Sequence, residues 1–224
     1  MQSGARLFRN AGPLAALLMM LAASPVHAQA PAPAENPVDQ LAGTDTAPEI
    51  DVAALRQQAA ERSKSKATAA PVNRPPLVPE LLKLPQLTVD VLFDPDSSII
   101  RPGSYGTLGR IADTLTQPAL LPYKFLIVGH TETGGRRDHN LIVSQRRADA
   151  IRDALVMTFK VSPKRLQSLG LGEEQLRDPA KPAAPANRRI QIVNIGKLPA
   201  DTPAPPPPPP PKPPAKSKPG RHAR

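Results

Sequence analysis

Apolar residues recur with a regular period only between residues 87 and 195 of the chain. Leu87, Val89, Val91 and Phe93 alternate with Thr88 and Asp90, the two-residue period of a strand that buries one face. Asp94-Pro95-Asp96-Ser97 reads as a turn. Beyond Pro102-Gly103, Tyr105, Leu108, Ile111, Ala112 and Leu115 fall at helical spacing, and Pro118 marks the end of that helix. The unbroken run Phe125-Leu126-Ile127-Val128 predicts a strand covered on both faces. A polar loop over 130–139 leads into a second helix over 140–159. Its stripe is Leu141, Ala148, Ile151, Leu155 and Phe159, with Asn140 as N-cap. A brief strand over 166–171, a turn at Gly172-Glu173-Glu174 and a last strand carrying Ile190, Ile192 and Ile195 complete the pattern. The order predicts an α/β fold, a two-layer sandwich of helices on a small mixed β-sheet.

The flanks have a different composition. The chain's 31 prolines cluster outside the patterned stretch, which places one domain at 86–196. Its core must rest on Leu, Ile, Val and Ala, with Phe93, Phe125 and Phe159 as the largest pieces. Residues 29–85 read as an Ala/Pro-rich linker, in which 29–48 lack the apolar surface to offset ordering entropy. A short helix over 50–63 can form there, with Ile50, Val52 and Leu55 as its apolar groups. Residues 197–224 read as a disordered basic tail, its prolines at 202–214 favouring an extended polyproline II rod. At the other end, Arg6 and Arg9 precede an uncharged run over 11–23 and then Val26-His27-Ala28, the layout of a signal peptide at 1–28. That run is shorter than the ~20 apolar residues that span a bilayer.

Charge and cysteine narrow the function classes. No cysteine is present, which excludes disulfides, thiol catalysis, thiolate metal sites and a lipidated amino terminus. The formal charge is +10, and removing Arg6 and Arg9 leaves 27 basic against 19 acidic residues, or +8. From Lys197 onward six basic residues stand against Asp201 alone, so +5 of that belongs to the tail. A nucleic-acid reading therefore lacks a basic folded face, whereas the tail suits an anionic membrane surface or an envelope protein. His130 and His139 are too few for a metal site, and no nucleophile elbow accompanies the serines. Glu173 and Glu174 read as a solvated pair in a turn. The sequence thus points to no enzyme and no cofactor.

A constellation of polar motifs lies within the domain. It runs Gly129-His130-Thr131-Glu132-Thr133-Gly134-Gly135, then Asn140, then Ser144-Gln145-Arg146-Arg147-Ala148, and finally Asn187-Arg188-Arg189. Phe93-Asp94-Pro95-Asp96 and Gly170-Leu171-Gly172-Glu173 accompany them. This set resembles the OmpA-like C-terminal family (the OmpA, MotB and Pal type), whose members carry Gly-His-Thr-Asp, an asparagine, Leu-Ser-x-x-Arg-Ala and Asn-Arg-Arg. The resemblance covers nearly the whole predicted domain, with ungapped spacing from the acid to the arginine.

It implies non-covalent binding of peptidoglycan through the diaminopimelate of the stem peptide, in the periplasm or envelope of a Gram-negative-type bacterium, with outer-membrane association. The family's loop aspartate falls on Glu132, for the ligand ammonium, and its helix arginine on Arg147, for a ligand carboxylate. Asn140, Thr131, Asp94 and Arg188 stand in support. A planar guanidinium suits a carboxylate because it offers two parallel donors, and the N-terminus of the second helix would add backbone N–H groups.

Helical phase separately favours Arg147 over Arg146. At 100° per residue Arg147 lies on the rim of the stripe of Ala148, Ile151 and Leu155, and Arg146 points nearly opposite. Arg137, Arg146 and Arg152 read as solvated charges. Three departures stand out: Glu132 is one methylene longer than the family's aspartate, Val143 replaces the leucine before Ser144, and Thr133 follows the acid where the family frequently has asparagine. The rival reading is a periplasmic interaction scaffold that uses its proline-rich basic tail, with wall binding lost or altered.

Overall fold

The computed structural model describes residues 36–43, 50–64 and 73–199. The signal peptide expected at 1–28 and the tail beyond residue 199 lie outside the described residues. The sheet has four strands, β1 (Gln86–Val89), β2 (Tyr123–His130), β3 (Leu166–Gly172) and β4 (Ile190–Lys197), in the order β1-β4-β2-β3. β4 pairs antiparallel with both β1 and β2, and β2 pairs parallel with β3. The sheet is therefore mixed, as the pattern predicts. Its helices are α1 (Pro37–Leu41), α2 (Val52–Lys64), α3 (Tyr105–Leu115) and α4 (Arg137–Met157).

The run at 125–128 lies in β2, flanked on both sides by other strands, and its side chains divide between two cores. Phe125 and Ile127 join Leu108, Ile111, Leu115, Ile151 and Leu155 under α3 and α4. Leu126 and Val128 join Leu169, Leu171, Val193 and Ile195 on the other face. Burial of each large apolar side chain contributes ~1.5–3 kcal/mol, so β2 stabilises both cores at once.

The second face is closed by a segment that composition assigns to a linker. Val52 and Ala59 of α2, with Val78 and Leu81 further along, complete that second core. Asp51 starts α2 by accepting the N–H groups of Ala53 and Ala54, both at 3.0 Å. Ahead of it, α1 seats a fully buried Leu41 in the first core, and Asn194 Nδ2 donates to the Leu41 carbonyl at 2.8 Å. The expected free linker at 29–48 is corrected for residues 36–43, which pack against the sheet. The short helix expected over 50–63 is α2, and the folded unit runs beyond 86–196 on its amino-terminal side. Ile50, Leu55, Leu77 and Leu84 pack around the second core beside Val52, Ala59, Val78 and Leu81.

Two glycines decide how closely α4 approaches the sheet. A Cβ on Gly129 would stand 2.3 Å from the Ser144 carbonyl oxygen, and one on Gly170 would stand 2.4 Å from the Gln145 amide nitrogen. Ser144 then bolts helix to strand, its hydroxyl accepting the Gly172 N–H at 2.8 Å while donating to the Leu141 carbonyl. This contact sets the amino-terminal half of α4 beside the carboxyl ends of the parallel pair β2 and β3, where open α/β sheets place their sites.

Candidate functional site

A cleft of about 690 Å³ opens where β2 ends and β4 begins. All six sequence-predicted residues line it: Asp94, Thr131, Glu132, Asn140, Arg147 and Arg188. The strand register explains the convergence. Gly129 pairs with Ile190, and the ladder runs on through His130 N–H to the Arg189 carbonyl at 3.0 Å. Thr131 and Glu132 therefore leave the sheet beside Arg188. Arg188 Nε lies 3.1 Å from Glu132 Oε2, and both side chains keep partial solvent exposure.

Arg147 comes from the middle of α4, on the cleft side, while Arg146 is exposed. The guanidinium of Arg147 stacks over the Phe93 ring at 5.0 Å, and its Nε donates to the Ser97 carbonyl at 2.8 Å. Among the described residues Ser97 is its only hydrogen-bond acceptor, which leaves Nη1 and Nη2 available to a ligand. Burial pulls its pKa below the usual value, the neighbouring Arg188 adds to this, and Asp96 and Glu132 oppose it. The charge is held at a cost that a bound anion would relieve.

The wall opposite α4 in sequence is the loop over 92–101. It closes on itself through Asp94 N–H to the Ile99 carbonyl (3.0 Å) and Arg101 N–H to the Leu92 carbonyl (2.9 Å), with Phe93 bridged to Ile100. Asp96 takes a left-handed backbone, φ 50°, which the turn requires and which aspartate tolerates better than most residues. Asp94 pairs with Arg101 at 3.1 Å, and Asp96 Oδ1 lies 2.6 Å from His139 Nε2. Asp96 and Arg101 also line the cleft. Sequence reasoning assigned them no role, although Asp96 belongs to the quoted Phe-Asp-x-Asp turn and Arg101 carries no comparable signal.

Three expectations are corrected at the site. Asn140 does not cap α4: the helix starts at Arg137, and Asn140 N–H already donates to the Arg136 carbonyl. Its side-chain amide instead donates to the Gly134 carbonyl and to Glu173 Oε2, both at 2.9 Å. At the α4 N-terminus, Arg136, Asp138 and His139 border a separate surface hollow. Glu173 and Glu174 are buried rather than solvated. Arg137, expected in solvent, donates Nη2 to both carboxylate oxygens of Glu174, at 2.7 and 2.8 Å. An acid pair at a turn looks solvated in one dimension because the arginines that cover it come from residues 62, 74 and 137.

Thr131 is buried, its N–H donating to the Gly172 carbonyl at 2.9 Å, and its hydroxyl has no hydrogen-bond partner among the described residues. His130 is also buried. Desolvation lowers its pKa well below 6.5, Arg189 adds to this, and Gln191 and the Gln175 backbone act against it, so the ring is neutral near pH 7. Arg189 is buried as well, its pKa drawn down to about 10 by burial, with Arg177 contributing. It donates to the Gln175 carbonyl at 3.2 Å and serves the last strand rather than the cleft. Asn187 organises the neighbouring loop, its Oδ1 accepting the N–H groups of Arg177 and Asp178 and its Nδ2 donating to Lys181 and Pro182 carbonyls. Among the described residues no group of three or more His, Asp or Glu side chains is placed to hold a metal.

The domain is thus a mixed α/β sandwich whose cleft is lined by three carboxylates, Asp94, Asp96 and Glu132, and three guanidinium groups, Arg101, Arg147 and Arg188. The family model described as the OmpA family matches residues 92–190. Outer membrane porin F of Pseudomonas fluorescens is 38% identical over 109 residues, covering 47% of this chain and 32% of that protein. The peptidoglycan-associated lipoprotein of Mesorhizobium japonicum is 39% identical over 85 residues, 38% of this chain and 49% of that one. The chain thus spans about a third to a half of these relatives' length. Among solved structures, the peptidoglycan-associated lipoprotein from Burkholderia pseudomallei aligns at 27% identity with a TM-score of 0.38, covering 55% of this chain and 98% of that one.

Proposed function

We propose that the domain binds peptidoglycan non-covalently in the cell envelope, and that its cleft takes the zwitterionic end of the stem-peptide diaminopimelate. The match of residues 92–190 to the OmpA family model and similarity to peptidoglycan-associated lipoproteins support the coarser statement, and similarity to outer membrane porins supports an envelope location. One observation carries the finer one. A single cleft is lined by a carboxylate, Glu132, and by a guanidinium, Arg147, whose two terminal nitrogens lack protein acceptors among the described residues. A ligand with an ammonium and a carboxylate on one carbon satisfies both.

In this reading the ligand ammonium takes the Glu132 carboxylate in place of Arg188, and the ligand carboxylate accepts from Arg147 Nη1 and Nη2. Phe93 keeps the guanidinium plane fixed while this happens, so little side-chain entropy is lost on binding. Arg188, released from Glu132, adds a second positive charge near the ligand carboxylate. Asn140 and Thr131 hold the loop that presents Glu132.

Co-sedimentation with purified diaminopimelate-containing sacculi tests the proposal, with free meso-diaminopimelate as competitor. Binding that free diaminopimelate displaces is the expected result. Failure to sediment overturns wall binding and favours a scaffold acting through other surfaces. Sedimentation that diaminopimelate leaves untouched overturns the assignment of the cleft.

A further inference from the structure

The buried acids beyond β3 join the amino-terminal segment to the cleft. Glu173 and Glu174 have side chains only 5% and 1% exposed. Arg62, from the last turn of α2, places Nε 3.1 Å from Glu174 Oε2. Arg74, on the stretch that follows, donates from Nη2 to Glu173 Oε1 at 3.2 Å and has Nη1 3.8 Å from Glu174 Oε2. The second oxygen of Glu173 accepts from Asn140 Nδ2 at 2.9 Å, and the same amide donates to the Gly134 carbonyl. One carboxylate is therefore held on one oxygen by the amino-terminal arm and on the other by a residue of the cleft wall.

From this bridge we infer that docking of the arm, α2 and the stretch from residue 73, is coupled to the cleft through Glu173, and that Arg74, Arg62 and Glu173 are positioning residues for the cleft's ligand. The inference rests on the diaminopimelate reading only for the ligand used to measure it. A buried carboxylate turns toward whichever donors surround it. With Arg74 gone, Glu173 can follow Arg137, whose Nε lies 3.9 Å from Glu173 Oε1, and Asn140 then loses its acceptor. Gly134 is left with a weaker hold, and Glu132, two residues upstream, must be ordered at the moment of binding.

Stability alone is a poor account of the network. Burying several charges costs desolvation, which replacement by apolar side chains commonly avoids. Arg74 pays this cost with Nε and Nη1 lacking any hydrogen-bond partner among the described residues. What the charges supply that apolar groups cannot is direction: they fix which way the Glu173 oxygens point. Coupling between sites is reciprocal, so ligand in the cleft must tighten the arm to the degree that the arm tightens the ligand.

The experiment uses the full chain and Arg74→Met, which retains the buried stem and removes the charge, with Arg74→Lys as partial rescue. Amide hydrogen exchange is read first without ligand. The Thr133 N–H, bonded to the Pro182 carbonyl, and the Asn140 N–H should exchange about tenfold faster in Arg74→Met. Affinity for free meso-diaminopimelate should fall about fivefold, with Arg74→Lys in between, and saturating diaminopimelate should slow exchange across α2 of the unmodified chain. Should Arg74→Met fail to fold, Arg62→Met at the more exposed end is read in the same way. Unchanged loop exchange, whatever happens to melting temperature, overturns the coupling and leaves Arg74 a structural residue. A chain that never binds diaminopimelate overturns the ligand reading instead, and the ligand-free exchange still decides the coupling.

Discussion

The cleft at Glu132 and Arg147 and the cluster at Glu173 and Glu174 are built from the same residue types on neighbouring loops, yet they leave different things over. In the cluster, Arg62, Arg74 and Arg137 converge on two carboxylates whose side chains are almost wholly out of solvent. In the cleft, among the described residues, Glu132 has one ion-pair partner, Arg188, through a pair that remains open to solvent, and Arg147 has one hydrogen-bond acceptor. Exposed pairs are worth ~0–1 kcal/mol, whereas breaking a buried pair costs ~3–5 kcal/mol. The cluster is therefore a joint, and the cleft holds charges whose partners a ligand can replace at small cost.

The largest effect should come from breaking the joint. Glu174→Ala leaves the arginines that meet there with one carboxylate in place of two, and about 3–5 kcal/mol of unfolding free energy should be lost. Urea unfolding of the full chain measures this. A loss under ~1 kcal/mol would show that water already reaches the cluster, and the contrast with the cleft would collapse.

Next comes the cleft, where the readout changes from stability to affinity. Arg147→Ala should weaken binding to diaminopimelate-containing sacculi ten- to a hundredfold, about 1.5–3 kcal/mol for a charge-assisted bidentate contact, with the variant still folded. Arg146→Ala, one position along α4 and exposed, should bind nearly as the unmodified chain does. Equal losses from both would reduce the cleft to nonspecific attraction between a basic protein and an anionic wall.

The same contrast explains what the sequence could disclose. Arg147 was legible because its position on α4 is set by a local period that Ala148, Ile151 and Leu155 share. β2 was legible because a short apolar run without a polar break suits a strand buried on both faces. Glu173 and Glu174 were misread because burial of a charge depends on partners far away in sequence, and Arg74 belongs to a stretch with no periodic signal. Leu41 shows the same limit from the apolar side: one leucine among prolines and acids marks no element, yet it reaches the core through α1. Asn140 lines the cleft with the other candidates but is not the N-cap, since the helix begins three residues earlier, at Arg137. Side-chain chemistry chose the candidates, and tertiary contacts decided which were joints and which were available to a ligand.

His130, buried at the end of β2 beside Arg189, gives the comparison a pH axis. Its folded pKa lies well below the ordinary 6.5, chiefly through desolvation, so below that pH the unfolded chain binds a proton that the folded chain refuses. Stability should be fully present above about pH 6.5 and fall as pH drops, by about 1.4 kcal/mol per pH unit from this group. Urea unfolding between about pH 7.5 and pH 5 checks the sign, with His130→Gln as reference because it cannot titrate. A slope shared by both proteins would assign the acid sensitivity to groups other than His130.

The smallest effect, and the one that sharpens the cleft most, is expected of Glu132→Asp. In the folded chain the Glu132 carboxylate reaches Arg188 Nε at 3.1 Å, and a side chain shorter by one carbon–carbon bond, about 1.5 Å, cannot keep that contact from the same backbone. An incoming ammonium would then meet an acid that no arginine occupies, on an arm with one fewer rotatable bond to freeze. Both effects favour the ligand, and both are modest because the pair is solvent-exposed, so affinity for free meso-diaminopimelate should be equal or tighter by up to about fivefold, roughly 1 kcal/mol. Arg188→Gln in the original background separates the two causes: if competition from Arg188 dominates, its affinity for an amine lacking the adjacent carboxylate should rise as it does in Glu132→Asp. A tenfold loss in Glu132→Asp would mean instead that the extra methylene is needed for reach, and that the Arg188 contact holds the carboxylate where the ligand meets it.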